Sequence, residues 1–354
     1  MSRLGELLSR LPEEIDCALI TSDINRRYFS GMRSSAGIIA AFREETYLII
    51  DGRYYEKACG TVRGLTVIRE KSRLSQLNEL LERHCARMIA IEAETVTVSE
   101  LSTYRQQLKA DIDDSGRLSD TINEMRMCKT SEELDRIRAA QRIAEAAFEH
   151  ILGFIKAGVT EREIALELDF FMLRNGAEAL SFDTIALTGK NTSLPHGVPS
   201  DTAVKTGDFV LMDYGAVVDG YHSDMTRTVC VGAPDDEMCE VYETVLSAQQ
   251  AAIDTARAGV SCRDMDAAAR RVIESSGYGE FFVHSLGHGV GLEIHEFPNA
   301  APRSNAVLRN GMVITAEPGI YIPDKFGVRI EDFLAICDEN PENLTKSPKN
   351  LIIL

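Results

Sequence analysis

The chain has 354 residues, of which 44% are hydrophobic and 26% are charged, and its formal net charge at pH 7 is −17. A chain of this length is long for a single hydrophobic core, so we expect two domains. The acidic balance argues against nucleic acid and against anionic membranes as partners, because both are bound by basic faces.

The eight cysteines are scattered along the chain without a C-x-x-C pair. In a chain of this length, such a distribution indicates neither a disulfide framework nor a zinc ribbon. The first residues lack the apolar core of a signal peptide, and no apolar run approaches the length of a membrane span. We therefore expect a cytoplasmic protein without a membrane partner.

The first 125 residues alternate short apolar runs with helical patterns, which predicts a small mixed α/β domain over residues 1–125. The pattern predicts a helix over 74–83, a turn at 22–25, and strands at 15–21, 37–42, 46–50, 65–68 and 88–91. The runs 37–42 and 46–50 would form a hairpin. The domain has one histidine, His84, and no cluster of ligand-type residues. We expect it to shape the site or to mediate oligomerisation.

A second domain is predicted over residues 126–354. It opens with a capping box, Thr130-Ser-Glu-Glu133, which marks the start of a helix over 131–156. The pattern then predicts helices at 161–175, 236–258 and 263–275, with strand-rich sections at 182–231 and 287–336. This order indicates two αβ halves around one sheet, so the fold class expected for the whole chain is α+β.

A hairpin is predicted where Asp219-Gly220 stands between apolar and β-branched runs. With these two residues as the loop, Asp213 faces Thr226 and Asp224 faces Gly215. The two aspartates then become diagonal neighbours on one face, with backbones about 7–8 Å apart. Buried carboxylates this close would repel each other and resist ionisation without a positive charge. A metal ion or a pair of ions would supply that charge; the alternative is one exposed and one turn-associated aspartate.

Further ligand-type residues follow along the chain. His288 stands between two glycines, which let the backbone approach closely and suit a metal ligand, although a structural histidine is the alternative. Together, four carboxylates and one imidazole would form a hard ligand set: Asp213, Asp224, His288, Glu317 and Glu331. Such a set favours manganese, cobalt or zinc over thiophilic ions. Four carboxylates suit two divalent ions about 3.5–4 Å apart, which activate water and polarise a carbonyl group.

Other catalytic signatures are missing from the sequence. The chain has no H-E-x-x-H helix motif, no G-x-S-x-G nucleophile elbow and no Walker lysine loop, and the glycines of 287–291 do not have dinucleotide-binding spacing. The chemistry is therefore expected to depend on carboxylates and histidines.

The five candidate ligands, each in its local motif, resemble the signature of the pita-bread metallopeptidases (family M24), which include methionine aminopeptidase, aminopeptidase P and prolidase. The resemblance covers about residue 129 to residue 354 and implies a pita-bread domain. It also implies that Asp213 chelates one ion, that Asp224 and Glu331 bridge both, and that His288 and Glu317 complete the other. By the same resemblance, Glu317 acts as the general acid and base.

Three more residues narrow the resemblance to the proline-specific branch, which contains Xaa-Pro aminopeptidase and prolidase. Arg329, His284 and Tyr321 resemble the substrate-binding pattern of that branch. His196 and His295 match family histidines that bind the substrate and stabilise the tetrahedral intermediate. The alternatives are an ordinary ion pair for Arg329 and core packing for Tyr321.

The resemblance implies a dinuclear exopeptidase that hydrolyses Xaa-Pro bonds at the N-terminus of short peptides. It implies manganese, with cobalt or zinc as alternatives, and a homodimer. In the first domain, residues 50–54 resemble a segment of aminopeptidase P. Two alternatives are a creatinase-like amidinohydrolase, which uses this fold without metal ions, and a non-catalytic peptide- or protein-binding pseudopeptidase. The intact ligand set counts against both, whereas dipeptidase and aminopeptidase activity stay open.

Overall fold

The computed structural model describes residues 2–354. It divides into two compact units, one ending at Arg126 and the other running from Met127 to Leu354. Each unit has its own buried hydrophobic core. Within the described residues, no helix combines the length and the apolar character needed to cross a bilayer.

The first unit is a mixed α/β structure around one six-stranded sheet with the strand order β4-β3-β2-β1-β5-β6. Its helices are α1 (Arg3–Arg10), α2 (Asp23–Ser30), α3 (Gly52–Thr61), α4 (Arg73–Arg83), α5 (Val98–Gln107) and α6 (Arg117–Met127). Its strands are β1 (Cys17–Ile20), β2 (Ile38–Phe42), β3 (Thr46–Ile50), β4 (Thr66–Arg69), β5 (Met88–Ile91) and β6 (Asp111–Asp113). The five predicted strands and the β2–β3 hairpin are confirmed.

The turn predicted at 22–25 is wrong, because these residues begin helix α2. The hydroxyl of Ser22 accepts a hydrogen bond from the backbone N–H of Asn25 and caps the helix. Serine, asparagine and aspartate favour turns and helix N-caps for the same reason, namely local hydrogen bonds to the backbone. The segment 50–54 also has a local explanation, since Asp51 caps α3 by accepting from the N–H of Arg53.

The second unit begins with two long helices, and two more helices separate its strand-rich sections. The helices are α7 (Ser131–Leu152), α8 (Glu161–Arg174), α9 (Asp236–Thr255) and α10 (Cys262–Ser275). Helix α7 packs against α8, and α9 packs against α10. The predicted capping box is confirmed, because Thr130 and Glu133 exchange side chain to backbone hydrogen bonds.

The strands of the second unit form four hydrogen-bonded groups, so the expectation of one continuous sheet is wrong. The strands before α9 are β7 (Ala179–Leu180), β8 (Ile185–Thr188), β9 (Phe209–Tyr214), β10 (Ala216–Val218), β11 (Tyr221–His222) and β12 (Met225–Cys230). Those after α10 are β13 (Gly287–Gly289), β14 (Glu296–Ala300), β15 (Val313–Ala316), β16 (Gly319–Ile322), β17 (Phe326–Arg329), β18 (Asp332–Ala335) and β19 (Glu342–Asn343). The strand orders are β11-β10-β7, β12-β9-β8, β14-β13-β15-β18-β19 and β16-β17.

The first hairpin has the predicted register. Asp213 on β9 faces Thr226 on β12, and Val217 and Val218 pair with His222 and Tyr221 around Asp219-Gly220. Both loop residues have positive φ, 48° and 83°, as a tight hairpin turn requires. In this register Asp224 lies opposite Gly215, which is the point where β9 ends and β10 begins. The hairpin is therefore interrupted at a candidate ligand.

A second hairpin repeats this arrangement. Ala316 faces Asp332 in the β15–β18 pair, and Gly319 faces Arg329 in the β16–β17 pair. Both pairs share one register, so Glu317 lies opposite Glu331 at the interruption between them. Both hairpins thus lose regular pairing where the candidate ligands stand, which explains why the strands divide into separate groups.

The interruption of the first hairpin depends on Gly215. A Cβ atom at this position would lie 2.0 Å from the backbone carbonyl oxygen of Ser223. The Gly215→Ala variant should therefore lose about 1–3 kcal/mol of unfolding free energy through overpacking, measured by urea denaturation of the metal-free protein. Gly60→Ala is the matched control, because its Cβ would meet nothing within 4 Å in helix α3. Equal stability of the two variants would contradict the close approach.

Candidate active site

Three candidate ligands form a compact buried cluster. Asp213 lies near the end of β9, Asp224 directly precedes β12, and Glu331 directly precedes β18. One carboxylate oxygen of each lies within 4.8 Å of the corresponding oxygens of the other two. Their exposed fractions are 9%, 4% and 1%, respectively. The two hairpins therefore bring together carboxylates that are far apart in the sequence.

The cluster is electrostatically unfavourable by itself. Burial, together with the nearby charges of Asp213 and Glu317, raises the pKa of Asp224 well above its usual value. Burial and the charges of Asp224, Glu317 and Asp213 raise the pKa of Glu331 in the same way. For Glu317, burial raises the pKa to about 8 even though Arg329 opposes the shift. A bound cation would remove this repulsion.

Two of these carboxylates have one oxygen held by the protein and one oxygen free. Asp213 Oδ2 accepts from Arg329 at 2.6 Å, and Glu331 Oε2 accepts from Thr226 at 2.9 Å. The other oxygens, Asp213 Oδ1 and Glu331 Oε1, are buried and have no hydrogen-bond partner among the described residues. Buried polar atoms without a partner are rare in folded proteins and call for an explanation. A metal ion at this position would satisfy both.

His288 points its remaining lone pair into the same region. Its Nδ1 lies 3.1 Å from the carbonyl oxygen of Gly289, which can only accept, so Nδ1 carries the proton in the neutral ring. Burial lowers the pKa of His288, which favours that neutral ring. Its Nε2 then faces Asp224 Oδ2 at 3.5 Å and Glu317 Oε1 at 3.4 Å. A lone pair directed at two carboxylates is repulsive unless a cation lies between them.

The donor set therefore fits the metal ions that the sequence predicts. Two free carboxylate oxygens, two further acidic side chains and one imidazole nitrogen converge, and the one guanidinium beside them, that of Arg329, cannot balance four carboxylates. Oxygen donors with a single nitrogen suit manganese, cobalt or zinc.

Sequence reasoning missed two threonines that hold the ligands. Thr226 donates to Glu331 Oε2, and Thr315 donates to Glu317 Oε1 at 3.1 Å. Both threonines are fully buried. Thr226 lies two residues after Asp224 and Thr315 two residues before Glu317, which is the spacing of neighbours on one strand face. This two-residue spacing from a candidate ligand is the sequence signal that could have identified both threonines.

The cluster opens into a cavity of about 700 Å³. Apolar side chains from the β7–β8 loop and from the segment before β14 form part of its wall. The predicted site residues that line it are Asp213, Asp224, His288, Glu317, His196, His284, His295 and Arg329. Eight predicted residues thus line one cavity. Glu331 and Tyr321 do not line it, but each lies beside residues that do.

Arg329 holds Asp213 and is itself almost saturated. The guanidinium has five N–H groups. Four of them find acceptors within residues 2–354: Thr226, Pro195, Tyr321 and Asp213. Burial opposes its charge, but Tyr321 and Asp213 outweigh this effect and raise the pKa of Arg329 further. Arg329 is therefore fixed against the ligand cluster, and one of its N–H groups has no acceptor within residues 2–354.

His284 and Tyr321 continue this network. The Nδ1 of His284 lies 2.7 Å from the carbonyl oxygen of Ser285, so Nδ1 carries the proton and Nε2 accepts from the Tyr321 hydroxyl at 2.9 Å. Burial and the nearby Arg329 lower the pKa of His284 to about 4, which keeps the ring neutral. Burial also raises the pKa of Tyr321 to about 12. Both nitrogens of His284 thus have protein partners in this structure, which favours a role in orienting Tyr321 and Arg329.

His196 and His295 are the more accessible histidines of the cavity. Both side chains are exposed, and the ring of His295 packs edge-on against His288 with 4.4 Å between centroids. Partial burial and the neighbouring His288 and His196 lower the pKa of His295. A neutral imidazole retains one N–H that can donate to a substrate oxygen.

The chain is similar to known proteins over almost its whole length. Residues 135–338 match the family model of metallopeptidase family M24, and residues 2–128 match the creatinase/prolidase N-terminal domain. The Xaa-Pro dipeptidase of Pyrococcus furiosus is 39% identical over 99% of both chains. The solved Xaa-Pro dipeptidase from Bacillus anthracis has a TM-score of 0.96 and 41% identity over 99% of both chains. The X-Pro aminopeptidase from Thermotoga maritima has a TM-score of 0.89 and 37% identity, covering 96% of this chain and 98% of that one.

Proposed function

The chain belongs to metallopeptidase family M24, and we propose that it hydrolyses Xaa-Pro dipeptides with two divalent metal ions. The observation that carries this proposal is the convergence of the acidic cluster, His288 and the three remaining cavity histidines on one space of about 700 Å³. The Xaa-Pro dipeptidases of Pyrococcus furiosus and Bacillus anthracis, similar over almost their whole lengths, support the substrate class.

Membership of this family implies divalent metal ions, and we propose manganese, with cobalt or zinc as substitutes. Five residues would hold the ions: Asp213, Asp224, His288, Glu317 and Glu331. When bound, such ions lower the pKa of water and polarise a carbonyl group. The free oxygens Asp213 Oδ1 and Glu331 Oε1 support the two carboxylates as ligands.

Glu317 would move the proton during hydrolysis. Thr315 occupies Oε1, so Oε2 is the atom that would receive the proton of the attacking water. The amide nitrogen of an Xaa-Pro bond has no N–H and needs a proton to leave as an amine. Glu317 could deliver that proton, since a pKa near neutrality suits both steps. Burial raises its pKa to about 8 in the metal-free protein, and bound cations would lower that pKa again.

Substrate recognition would then fall to the accessible histidines and the apolar wall. His196 and His295 would donate to the oxygens of the scissile bond, and Arg329 has one N–H left for the substrate. Phe182, Ile185 and other apolar residues line the cavity and could receive the proline ring. His284 and Tyr321, which the family resemblance assigns to substrate binding, would act mainly by holding Arg329.

Peptide hydrolysis with added manganese tests the proposal. The purified protein should cleave Ala-Pro faster than Ala-Pro-Ala, and both should be cleaved at least about 100-fold faster than Met-Ala, because the cavity is expected to select the proline ring. The same assay with cobalt or zinc identifies the preferred ion. Faster cleavage of Ala-Pro-Ala would favour aminopeptidase activity, for which the Thermotoga maritima relative is named.

Three further outcomes would contradict parts of the proposal. Equal rates on Ala-Pro and Met-Ala would contradict the proline specificity while leaving a metallopeptidase. No hydrolysis of any peptide, combined with bound metal, would favour a binding protein. Hydrolysis of creatine without metal would favour the amidinohydrolase.

We also propose a cytoplasmic location, as the sequence predicts, and a homodimer, as the family resemblance implies. The exposed side chains of Leu166, Phe170 and Leu173 recur at helical spacing along α8 and offer an apolar face for self-association. All eight cysteines are free thiols, which suits a reducing compartment. Sedimentation of the purified protein tests the dimer.

A further inference from the structure

Glu161 is a fully buried carboxylate away from the metal cluster. It is the first residue of helix α8, and its exposed fraction is 0%. Within the described residues it forms no ion pair, although a buried charge normally needs a partner or several hydrogen bonds. Its burial therefore requires a hydrogen-bonding explanation.

The two carboxylate oxygens of Glu161 bind the two ends of one loop. Oε1 accepts from the backbone N–H of Thr188 at 2.8 Å and from the side-chain amide of Asn191 at 2.9 Å. Oε2 accepts from the backbone N–H of Ser200 at 2.9 Å and from its hydroxyl at 2.6 Å. Each oxygen thus holds one leg of the segment 188–200, and the carboxylate joins the legs at the base.

The segment 188–200 carries part of the proposed site. Its residues 195–199 line the cavity, and His196 is among them. Beyond the short 3-10 helix Gly189–Ser193, the segment has no regular secondary structure. Its middle is attached to β17, because Thr192 accepts from the N–H of Gly327 at 2.7 Å. The base and the middle are therefore fixed separately. Backbone bonds hold each leg by itself, Thr188 to β9 and Ser200 to the N–H of Arg162. Among the described side chains, only that of Glu161 binds both legs.

We propose that Glu161 is a positioning residue that sets the location of His196 by joining the two legs of this loop. The inference rests on the proposed peptidase function for its catalytic consequence, but the clamp itself is independent of the substrate. Glu161 does not line the cavity and would act on the reaction only through the loop.

A carboxylate is required because all four partners are donors. Glutamine has nearly the same volume, but its amide group presents one oxygen and one NH2. Whichever way the amide is turned, its NH2 group faces the donors of one leg, and that leg loses its hydrogen bonds to residue 161. Thr188 stays paired with β9, and Ser200 still accepts from the backbone N–H of Arg162, so the loop is loosened at its base and not detached. Glu161→Gln should therefore loosen the loop without removing volume from the core.

The kinetic test uses the manganese-loaded enzyme and Ala-Pro. Glu161→Gln should lower kcat/KM by about 10–100-fold, since a displacement of about 1 Å can have this effect on a reacting group. Its bound metal should be unchanged. Glu163→Gln is the matched control on the same helix, because Glu163 is exposed and bonds only to Thr160 in the described contacts. The control should retain wild-type kcat/KM.

A double-mutant cycle separates positioning from general destabilisation. If Glu161 acts through His196, then Glu161→Gln should lower kcat/KM by less than about twofold in a His196→Ala background, because coupled residues are not additive. A merely structural role would give the same loss in both backgrounds. That additive result would overturn the proposal.

Hydrogen exchange measures the clamp without any substrate. Glu161→Gln should accelerate amide exchange in residues 188–200 and leave β9 and β12 protected. Unchanged exchange in the loop would overturn the inference. If the wild type fails to cleave Ala-Pro, the proposed function fails, while exchange still decides the clamp. Should Glu161→Gln not fold, Asn191→Ala and Ser200→Ala, which each remove one donor, should show smaller increases in loop exchange.

Discussion

Replacing Asp224 by Asn should abolish most of the activity and, at the same time, stabilise the metal-free protein. The substitution removes one negative charge at nearly constant volume from a cluster whose ligand oxygens lie within 4.8 Å of one another. Turnover should fall by more than about 100-fold, because loss of an outer-shell partner alone costs about 10–100-fold in activity or metal affinity. Loss of activity together with higher stability distinguishes a ligand from a structural aspartate.

The expected gain in stability depends on pH. Glu317 has a pKa of about 8 in the folded protein, against a usual value of 4.5. An acid whose pKa rises on folding contributes stability that is fully present below the unfolded pKa and is lost as pH rises through the folded pKa. The metal-free wild type should therefore lose stability between about pH 4.5 and 8. Asp224 contributes to the same decline, because burial and the charges of Asp213 and Glu317 raise its own pKa. Replacing it by Asn removes this contribution and should flatten the decline.

Thermal unfolding of the metal-free proteins at pH 5 and pH 8 measures the effect. The matched control is Asp219→Asn, the same substitution at the exposed tip of the same hairpin, where asparagine tolerates the positive φ of 48°. This control should keep both activity and the pH dependence of the wild type. If Asp224→Asn retained wild-type turnover at low added manganese, a dinuclear site with this ligand would be ruled out.

The first hairpin illustrates what local pattern can predict. The Asp219-Gly220 turn fixes the register, and the register places Asp213 opposite Thr226, as found. Because side chains alternate between faces with a period of two residues, one turn determines the orientation of every residue on both strands. Helix α7 was predictable for a similar reason, since its capping box is local.

The meeting of the two hairpins was not predictable from local pattern. The backbone N–H of Glu331 donates to the carbonyl of Thr226, a contact between residues that are 105 positions apart. Ligand type and the resemblance to a known family, not a local pattern, indicated that Glu331 and Asp224 share one site. Long-range pairing depends on packing of the whole unit, which leaves no periodic signal in the sequence.

Glu161 shows a different limit. An acidic residue in the first turn of a helix is ordinary in sequence, because it interacts favourably with the helix dipole. Its full burial and its four donors depend on a loop that returns to the helix 39 residues later. The proton position on the His284 ring is also invisible in the sequence. It depends on the Tyr321 hydroxyl and the carbonyl of Ser285, which only the folded chain brings to the two ring nitrogens.

Replacing Glu317 by Gln should lower kcat on Ala-Pro by about 10²–10⁴-fold, the usual contribution of a general acid or base. The amide keeps an oxygen that can accept from Thr315, so the local geometry should persist. It cannot take up a proton from water or return one to the proline nitrogen. Binding of Ala-Pro, measured by calorimetry, should change little, because the proton transfer matters only in the transition state.

The comparison with Glu331→Gln separates proton transfer from metal binding. Glu331 is 1% exposed behind the cluster and does not line the cavity, so its loss should act through the metal ions alone. We expect Glu317→Gln to retain most of its bound manganese and to stay inactive when manganese is added. Glu331→Gln should lose manganese and recover part of its activity at high manganese. Full activity of Glu317→Gln would assign the proton transfer to another group, with His196 and His295 as the remaining candidates in the cavity.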